Sequence, residues 1–189
     1  MNQTSILLPS GAKDFSKTLF FIKAISISIL IAVSAQISLP LQPVPMTLQP
    51  LSILIIGLCC HPALAIASVA FYITEGSLGF PVFQGLSGGF HHLWGPTAGY
   101  IFGFLPSVAI VSYLKKNENN FWYSFAICSL AKIILFSLGI TWLSLFVGFN
   151  HGINFGLVPF VWKIPVEIAF AILSARLIKT FINKIQFKE

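Results

Sequence analysis

Residues Leu39–Gln49 read Leu-Pro-Leu-Gln-Pro-Val-Pro-Met-Thr-Leu-Gln. The segment carries no charge, yet Pro40, Pro43 and Pro45 forbid a helix. Each proline removes a backbone donor and pushes the residue before it toward extended backbone. Pro50 follows directly, and strongly apolar runs lie on both sides, Leu19–Leu39 before and Leu48–Cys60 after. A stiff, non-helical segment between two membrane-type runs, ending in Thr47-x-Gln49, is built to cover or line a binding site.

The rest of the chain has the composition of a membrane protein. Of 189 residues, 56% are hydrophobic and 8% charged, against about 25% charged in soluble domains. Mean hydropathy is +0.88. One membrane domain is expected over 1–189: a polar start (1–18), a six-helix bundle (19–182) and a basic tail (183–189). The net charge of +6 would suggest nucleic acid in a soluble protein. Here it reports orientation in a lipid bilayer, and no nucleic-acid partner is expected. Cys59, Cys60 and Cys128 sit in apolar runs without metal-ligand spacing, and read as small apolar fillers.

In chain order, residues 1–18 are polar, a solvated start or short surface helix. Leu19–Leu39 is roughly long enough to span. Ala32-Val33-Ser34-Ala35 resembles a signal-peptidase site, but the run exceeds a typical signal core and further spans follow. Ala24, Ser28 and Ala32 recur every fourth residue, a smooth stripe that lets another helix approach closely. That helix belongs either to this chain or to a separate membrane subunit.

Leu48–Cys60 and Ala63–Thr74 are short, about 20 Å each as helices against about 30 Å of hydrocarbon. They are read as two short spans hinged at His61-Pro62. Glu75–Pro96 is rich in glycine and aromatics and is expected to be irregular. Such backbone is tolerated at membrane depth only where it is buried in protein or lines a cavity. Thr97–Leu114 is a span with Gly99 and Gly103 on one face and Pro106 as an expected kink. A polar turn follows, then a long span from Phe121 to Phe149, a loop at Asn150–Asn154, and a last span from Gly156 to Ile182.

With six spans, both termini share a side with the turns at 61–62 and 115–120. That side holds Lys13, Lys17, Lys23, Lys115, Lys116, Arg176, Lys179, Lys184 and Lys188. The opposite loops hold no Lys or Arg, and Lys163 lies just inside the last helix. The positive-inside rule makes both termini cytoplasmic. Segments 39–49, 77–96 and 150–156 then meet on the outer face.

The chain lacks a G-x-x-x-x-G-K-[ST] phosphate loop and H-E-x-x-H, while Gly85-Leu86-Ser87-Gly88-Gly89 has the letters of G-x-S-x-G. His91 and His92 are adjacent and would point apart on a regular element, so a loop or pocket role is preferred to metal binding. Ser87 has no evident base. Glu75, Lys132, Lys163 and Glu167 are ionisable residues inside spans, costly in hydrocarbon and expected to face an interior. Lys132 lies about 16 Å up the fifth helix and Glu167 a similar distance down the sixth. They are expected to pair, either to hold the bundle together or with a lysine left to receive a ligand carboxylate.

Three motifs in order carry a resemblance: Pro43-Val44-Pro45-Met46-Thr47-Leu48-Gln49, then Gly79-Phe80-Pro81-Val82-Phe83 with Ser87-Gly88-Gly89, then Gly95-Pro96-Thr97-Ala98-Gly99-Tyr100. Together they resemble the BioY family, the biotin-binding substrate components of energy-coupling-factor (ECF) transporters. The resemblance implies an all-α integral membrane protein of six transmembrane helices, an ECF S-component-like bundle in a bacterial cell (inner) membrane. It also implies biotin bound near the outer face, a transmembrane coupling subunit as partner, and a pair of ATPase subunits. Those subunits would use the ATP, with no cofactor in this chain. Ala24, Ser28 and Ala32 match the family's docking motif.

One departure stands out. The family's last helix usually begins Pro-Phe-x-x-Gly-Asp-x-x-Lys, its acid and lysine serving the biotin site. Here Ile164 holds the acid position and Glu167 the lysine position. The expected exchange is that Lys163 or Lys132 supplies the positive charge and Glu167 accepts from the ureido N–H groups. The departure leaves room for a biotin precursor as substrate. Thr47 and Gln49 are candidates for the urea, unless they merely cap the second helix. Phe83, Gln84, Trp94 and Tyr100 are candidates for the pocket wall, unless the aromatics are interface anchors. The other function classes are an intramembrane enzyme using Glu75 or His91/His92, and an assembly subunit with no ligand.

Overall fold

The computed structural model describes residues 10–116 and 120–186. Among these, seven α-helices form: α1 (Ser10–Gln36), α2 (Gln49–Cys59), α3 (Pro62–Ser77), α4 (Ala98–Leu114), α5 (Phe121–Val147), α6 (Phe149–Gly156) and α7 (Lys163–Gln186). Between α1 and α2 the chain makes a two-stranded antiparallel ribbon, β1 (Ser38–Leu39) and β2 (Met46–Thr47), with Ser38 opposite Thr47. Short 3-10 turns at Phe90–Leu93 and Val158–Phe160 complete the elements. The first nine and last three residues of the expected polar termini lie outside the described residues.

Several boundaries differ from the sequence reading. Residues 10–18 continue α1, which ends at Gln36 because Ser38 and Leu39 enter the ribbon. The loop expected at Asn150–Asn154 is helical. Gly148, at φ 83°, turns the chain after α5. Gly152 lets α6 lie against Ser144, where a Cβ would come within 2.2 Å of its hydroxyl oxygen. The last long helix accordingly begins at Lys163 and not at Gly156. Pro106 lies inside α4 without ending it, and Ser107 Oγ nearby donates to Ala131 O of α5 at 3.0 Å.

By length and composition α1 and α5 can each cross a membrane, and the pair 149–160 plus 163–185, bent by 47°, counts as a third where the two are taken as one span. The helices α2 and α4 are shorter and apolar. The tightest pairing is α4 on α5, made possible by glycine on both sides. A Cβ on Gly99 would sit 2.6 Å from Leu138 O, and one on Gly139 would sit 2.3 Å from the Tyr100 ring. Two cores result. One, around Leu54, Leu58, Val111, Cys128, Ile168 and Ile172, fills the bundle between α2, α4, α5 and α7. The other, around Tyr72, Phe83, Tyr100, Phe104, Phe136 and Phe160, surrounds the ribbon end. That second core is incomplete and leaves a cavity.

Candidate ligand-binding site

The cavity encloses about 500 Å³, within the range of small-molecule sites. Its roof is the proline segment 40–45 with Thr47 and Gln49. Phe83, Gln84, Ser87 and His92 form one side. Tyr100, Ile101 and Phe104 of α4 and Leu135 and Phe136 of α5 form the opposite wall, closed by Phe160, Lys163 and Glu167. The sequence explains the wall. Gly76 lies in the last turn of α3, where a Cβ would meet the Phe83 ring at 2.1 Å, so the ring turns inward and packs edge-on against Tyr72. Gly139 leaves room for the Tyr100 ring, whose hydroxyl donates to Gly156 O at 2.9 Å.

Along the apolar wall runs one continuous polar chain. Gln49 Nε2 donates to the Tyr72 hydroxyl at 2.6 Å. Thr47 Oγ1 donates to Gln49 Oε1 at 3.2 Å and accepts from Gln49 N–H at 3.3 Å. Thr47 O accepts from Lys163 Nζ at 3.1 Å. Lys163 Nζ lies 3.0 Å from Glu167 Oε1, and Lys132 Nζ lies 2.5 Å from Glu167 Oε2. The chain therefore crosses from α3 through the ribbon and α2 to α7 and α5.

The expected Lys132–Glu167 pair is present, with Lys163 as a third member through its i,i+4 spacing. Exposures are 2% for Lys132, 8% for Lys163 and 7% for Glu167. Two lysines on one carboxylate leave a formal charge of +1 in a buried site, and among the described residues no other carboxylate lines the cavity. Buried charge is costly unless paired, so this site favours an anion. Glu167 Oε1 is also buried without a well-directed hydrogen bond. Lys163 faces the cavity, whereas Lys132 does not line it and acts on Glu167 from behind.

The other candidates divide. Thr47, Gln49, Phe83, Gln84 and Tyr100 line the cavity with Lys163 and Glu167. Thr47 does contact the first turn of α2, but the helix's N-cap residue is Leu48, with no side-chain cap. Trp94 stands outside the cavity, 62% exposed, near Trp142, whose indole donates to Gly95 O at 3.0 Å. Ala24 and Ser28 are fully buried and Ala32 half-buried. Their stripe brings α3 close to α1, and Ser28 Oγ lies 3.0 Å from the Glu75 carboxylate as donor. The stripe expected as a docking face is thus occupied within the chain. Glu75 is turned toward α1 and does not line the cavity. The rings of His91 and His92 lie 4.2 Å apart, and only His92 reaches the cavity. Burial, and then His91, hold its pKa below the ordinary histidine value. No metal-ligand cluster occurs among the described residues.

Sequence reasoning missed Gln36, Tyr72, Phe104, Phe136 and Phe160. Gln36 clamps the turn that carries Phe83, donating from Nε2 to Phe83 O and accepting Leu86 N–H on Oε1, both at 2.9 Å. Its signal was a lone amide closing an apolar run. Tyr72 and the phenylalanines gave no signal, since one aromatic in a span looks like another.

Comparison with known proteins agrees with this architecture. The chain matches the model of the BioY family over residues 9–184. It is 35% identical over 164 residues to a "Probable biotin transporter BioY" of Pyrococcus horikoshii, covering 87% of this chain and 94% of that protein. Identity is also 35% over 159 residues to the "Biotin transporter BioY" of Thermotoga maritima, covering 84% and 94%. The fold is shared with the crystal structure of the S-component for biotin from an ECF-type ABC transporter. That match has a TM-score of 0.79 over 92% of this chain and 95% of the other, at 21% identity. With its cavity, its proline roof and a family match running almost end to end, the chain is a member of the BioY family.

Proposed function

We propose that this chain binds biotin and serves as the substrate-specific component of an ECF-type uptake system, a transporter component and not an enzyme. The observation that carries the site assignment is the buried +1 cluster at the edge of an apolar cavity. Biotin is a monovalent anion with an apolar fused ring and tail. Its carboxylate would meet Lys163 and its ring and tail the wall of Tyr100, Phe104 and Phe136; because Thr47 O lies 3.1 Å from Lys163 Nζ, its urea would reach the Thr47 and Gln49 side chains with the tail folded back over the ring. Lys163 and Glu167 are only 3.0 Å apart. Two atoms that close cannot take the carboxylate and the urea of one biotin, and we assign Glu167 to holding the lysines.

The reverse orientation is supported by one observation, the free acceptor capacity of Glu167 Oε1. There Lys163 would donate to the ureido oxygen and Glu167 would accept a ureido N–H. Biotin amide separates the two: carboxylate recognition by Lys163 predicts weak competition by the amide, and the reverse predicts strong competition by it.

In the membrane we propose six passes with cytoplasmic termini, supported by the lysine bias and the successive reversals of α1 to α5. The six-pass reading takes α7 as the last pass and α6 as part of the outer cover. ATP would be used by partner subunits. The test is uptake of labelled biotin by cells expressing this chain with and without a coupling subunit and its ATPases. Accumulation against a gradient that needs those subunits is expected, and no biotin-dependent signal in either arm would overturn the proposal.

A further inference from the structure

The charges that line the cavity cancel. Lys163 and Glu167 are the lysine and the carboxylate on its wall among the described residues, and they lie 3.0 Å apart. His92, held below the ordinary histidine pKa by burial and by His91, adds no charge near neutral pH. The excess of +1 therefore comes from a side chain that does not touch the cavity. Lys132 of α5 is 2% exposed, and its Nζ donates to Glu167 Oε2 at 2.5 Å. It fills the far oxygen of the carboxylate and leaves Lys163 the near one, Oε1. Without Lys132, an anion entering beside Lys163 would meet an attraction and a repulsion from neighbouring unit charges, which largely offset each other.

We infer that Lys132 is a positioning residue that sets the charge selectivity of the site: by neutralising Glu167 from behind, it leaves the charge of Lys163 unopposed for a ligand carboxylate, so that the chain prefers an anion to its neutral amide. This rests on the reading above that Lys163 meets the carboxylate. A scaffold needs only one lysine per buried acid, and a further buried charge is costly. That cost is relieved when a monovalent anion enters, because the three side chains and the ligand then sum to zero.

The experiment is competition binding of biotin and biotin amide to the full-length protein in nanodiscs at neutral pH. Wild type should prefer biotin. Lys132→Met leaves every cavity-lining side chain in place and should narrow the biotin-to-amide affinity ratio by about tenfold, the lower end of what one opposite charge within about 4–6 Å does to a carboxyl. Lys132→Gln, which keeps a donor and removes the charge, should narrow it to the same extent. Combining Lys132→Met with Glu167→Gln returns the excess of +1 to Lys163 alone and should bring the ratio back to the wild-type value or above. A merely structural Lys132 predicts the opposite pattern, in which both affinities fall together, the ratio holds, and the second substitution deepens the loss. An unchanged ratio in folded Lys132→Met or Lys132→Gln would overturn the inference, as would a folded double variant without recovery. If the double variant does not fold, the two single variants decide. Lys163→Met separates this inference from the reading beneath it. Equal losses of biotin and amide there would sink the carboxylate reading and this role with it. A narrowed ratio in Lys163→Met beside an unchanged one in Lys132→Met would leave that reading standing and remove the role of Lys132 alone.

Discussion

Replacing Lys163 by Met separates binding from stability. In the structure Lys163 Nζ has two partners, Thr47 O at 3.1 Å and Glu167 Oε1 at 3.0 Å, and it is the lysine that lines the cavity. Its removal leaves Lys132 and Glu167 as a pair at 2.5 Å, with a formal charge of zero. Empty protein loses one hydrogen bond to Thr47 O but sheds an unmatched buried charge. Its stability should change by less than about 1 kcal/mol. Bound biotin loses a hydrogen bond from a charged donor, about 1.5–3 kcal/mol, so affinity should fall roughly 10- to 150-fold. Biotin amide has no carboxylate and should lose no more than about threefold, within the loss of one neutral contact. Calorimetric titration of both ligands into wild type and Lys163→Met, with thermal melts of the empty proteins, reads all three quantities. Equal losses for biotin and its amide would refute the carboxylate assignment. A collapse in stability without ligand would show that the cluster serves folding alone.

Glu167→Gln should behave in the opposite way. It strands two buried lysines, so the empty protein should lose about 3–5 kcal/mol of stability, partly restored by saturating biotin in a thermal shift assay. Gly139→Ala would put a methyl 2.3 Å from the Tyr100 ring, and should cost about 1–3 kcal/mol through overpacking and weaken biotin binding, measured on the same samples. His92 titrates below its ordinary value in the folded protein because of burial and His91. The unfolded chain then binds more protons between the two values, so this stability contribution is complete above about pH 6.5. It declines as pH falls through that value toward the folded one. Melts from pH 8 to 5 should show the decline, and His92→Gln should flatten it.

How far the sequence carried the reading can be seen residue by residue. Prolines act locally, so the non-helical run was legible from Leu39 to Leu48, with its place over a cavity, although Gln49 already begins α2. The Lys132–Glu167 pair was legible because a helix has a fixed rise, so two charges at equal depth can be found by counting. Lys163 joins through i,i+4 geometry that was also available. The role of Ala24, Ser28 and Ala32 was not, because small residues say that a helix approaches without saying whose. The helix α6 was hidden by Asn150, His151, Gly152 and Asn154, loop-like residues whose helicity depends on the fit of Gly152 against Ser144. Tyr72 and Gln36 act through partners 23 or more positions away, and no local pattern records that.

The most direct measurement of the central claim is equilibrium binding of labelled biotin to the purified full-length chain in nanodiscs, with no other subunit present. Saturable binding of one biotin per chain is expected, displaced by unlabelled biotin and weakened at least about tenfold in Lys163→Met. Non-saturable binding, or saturable binding indifferent to Lys163, would contradict it.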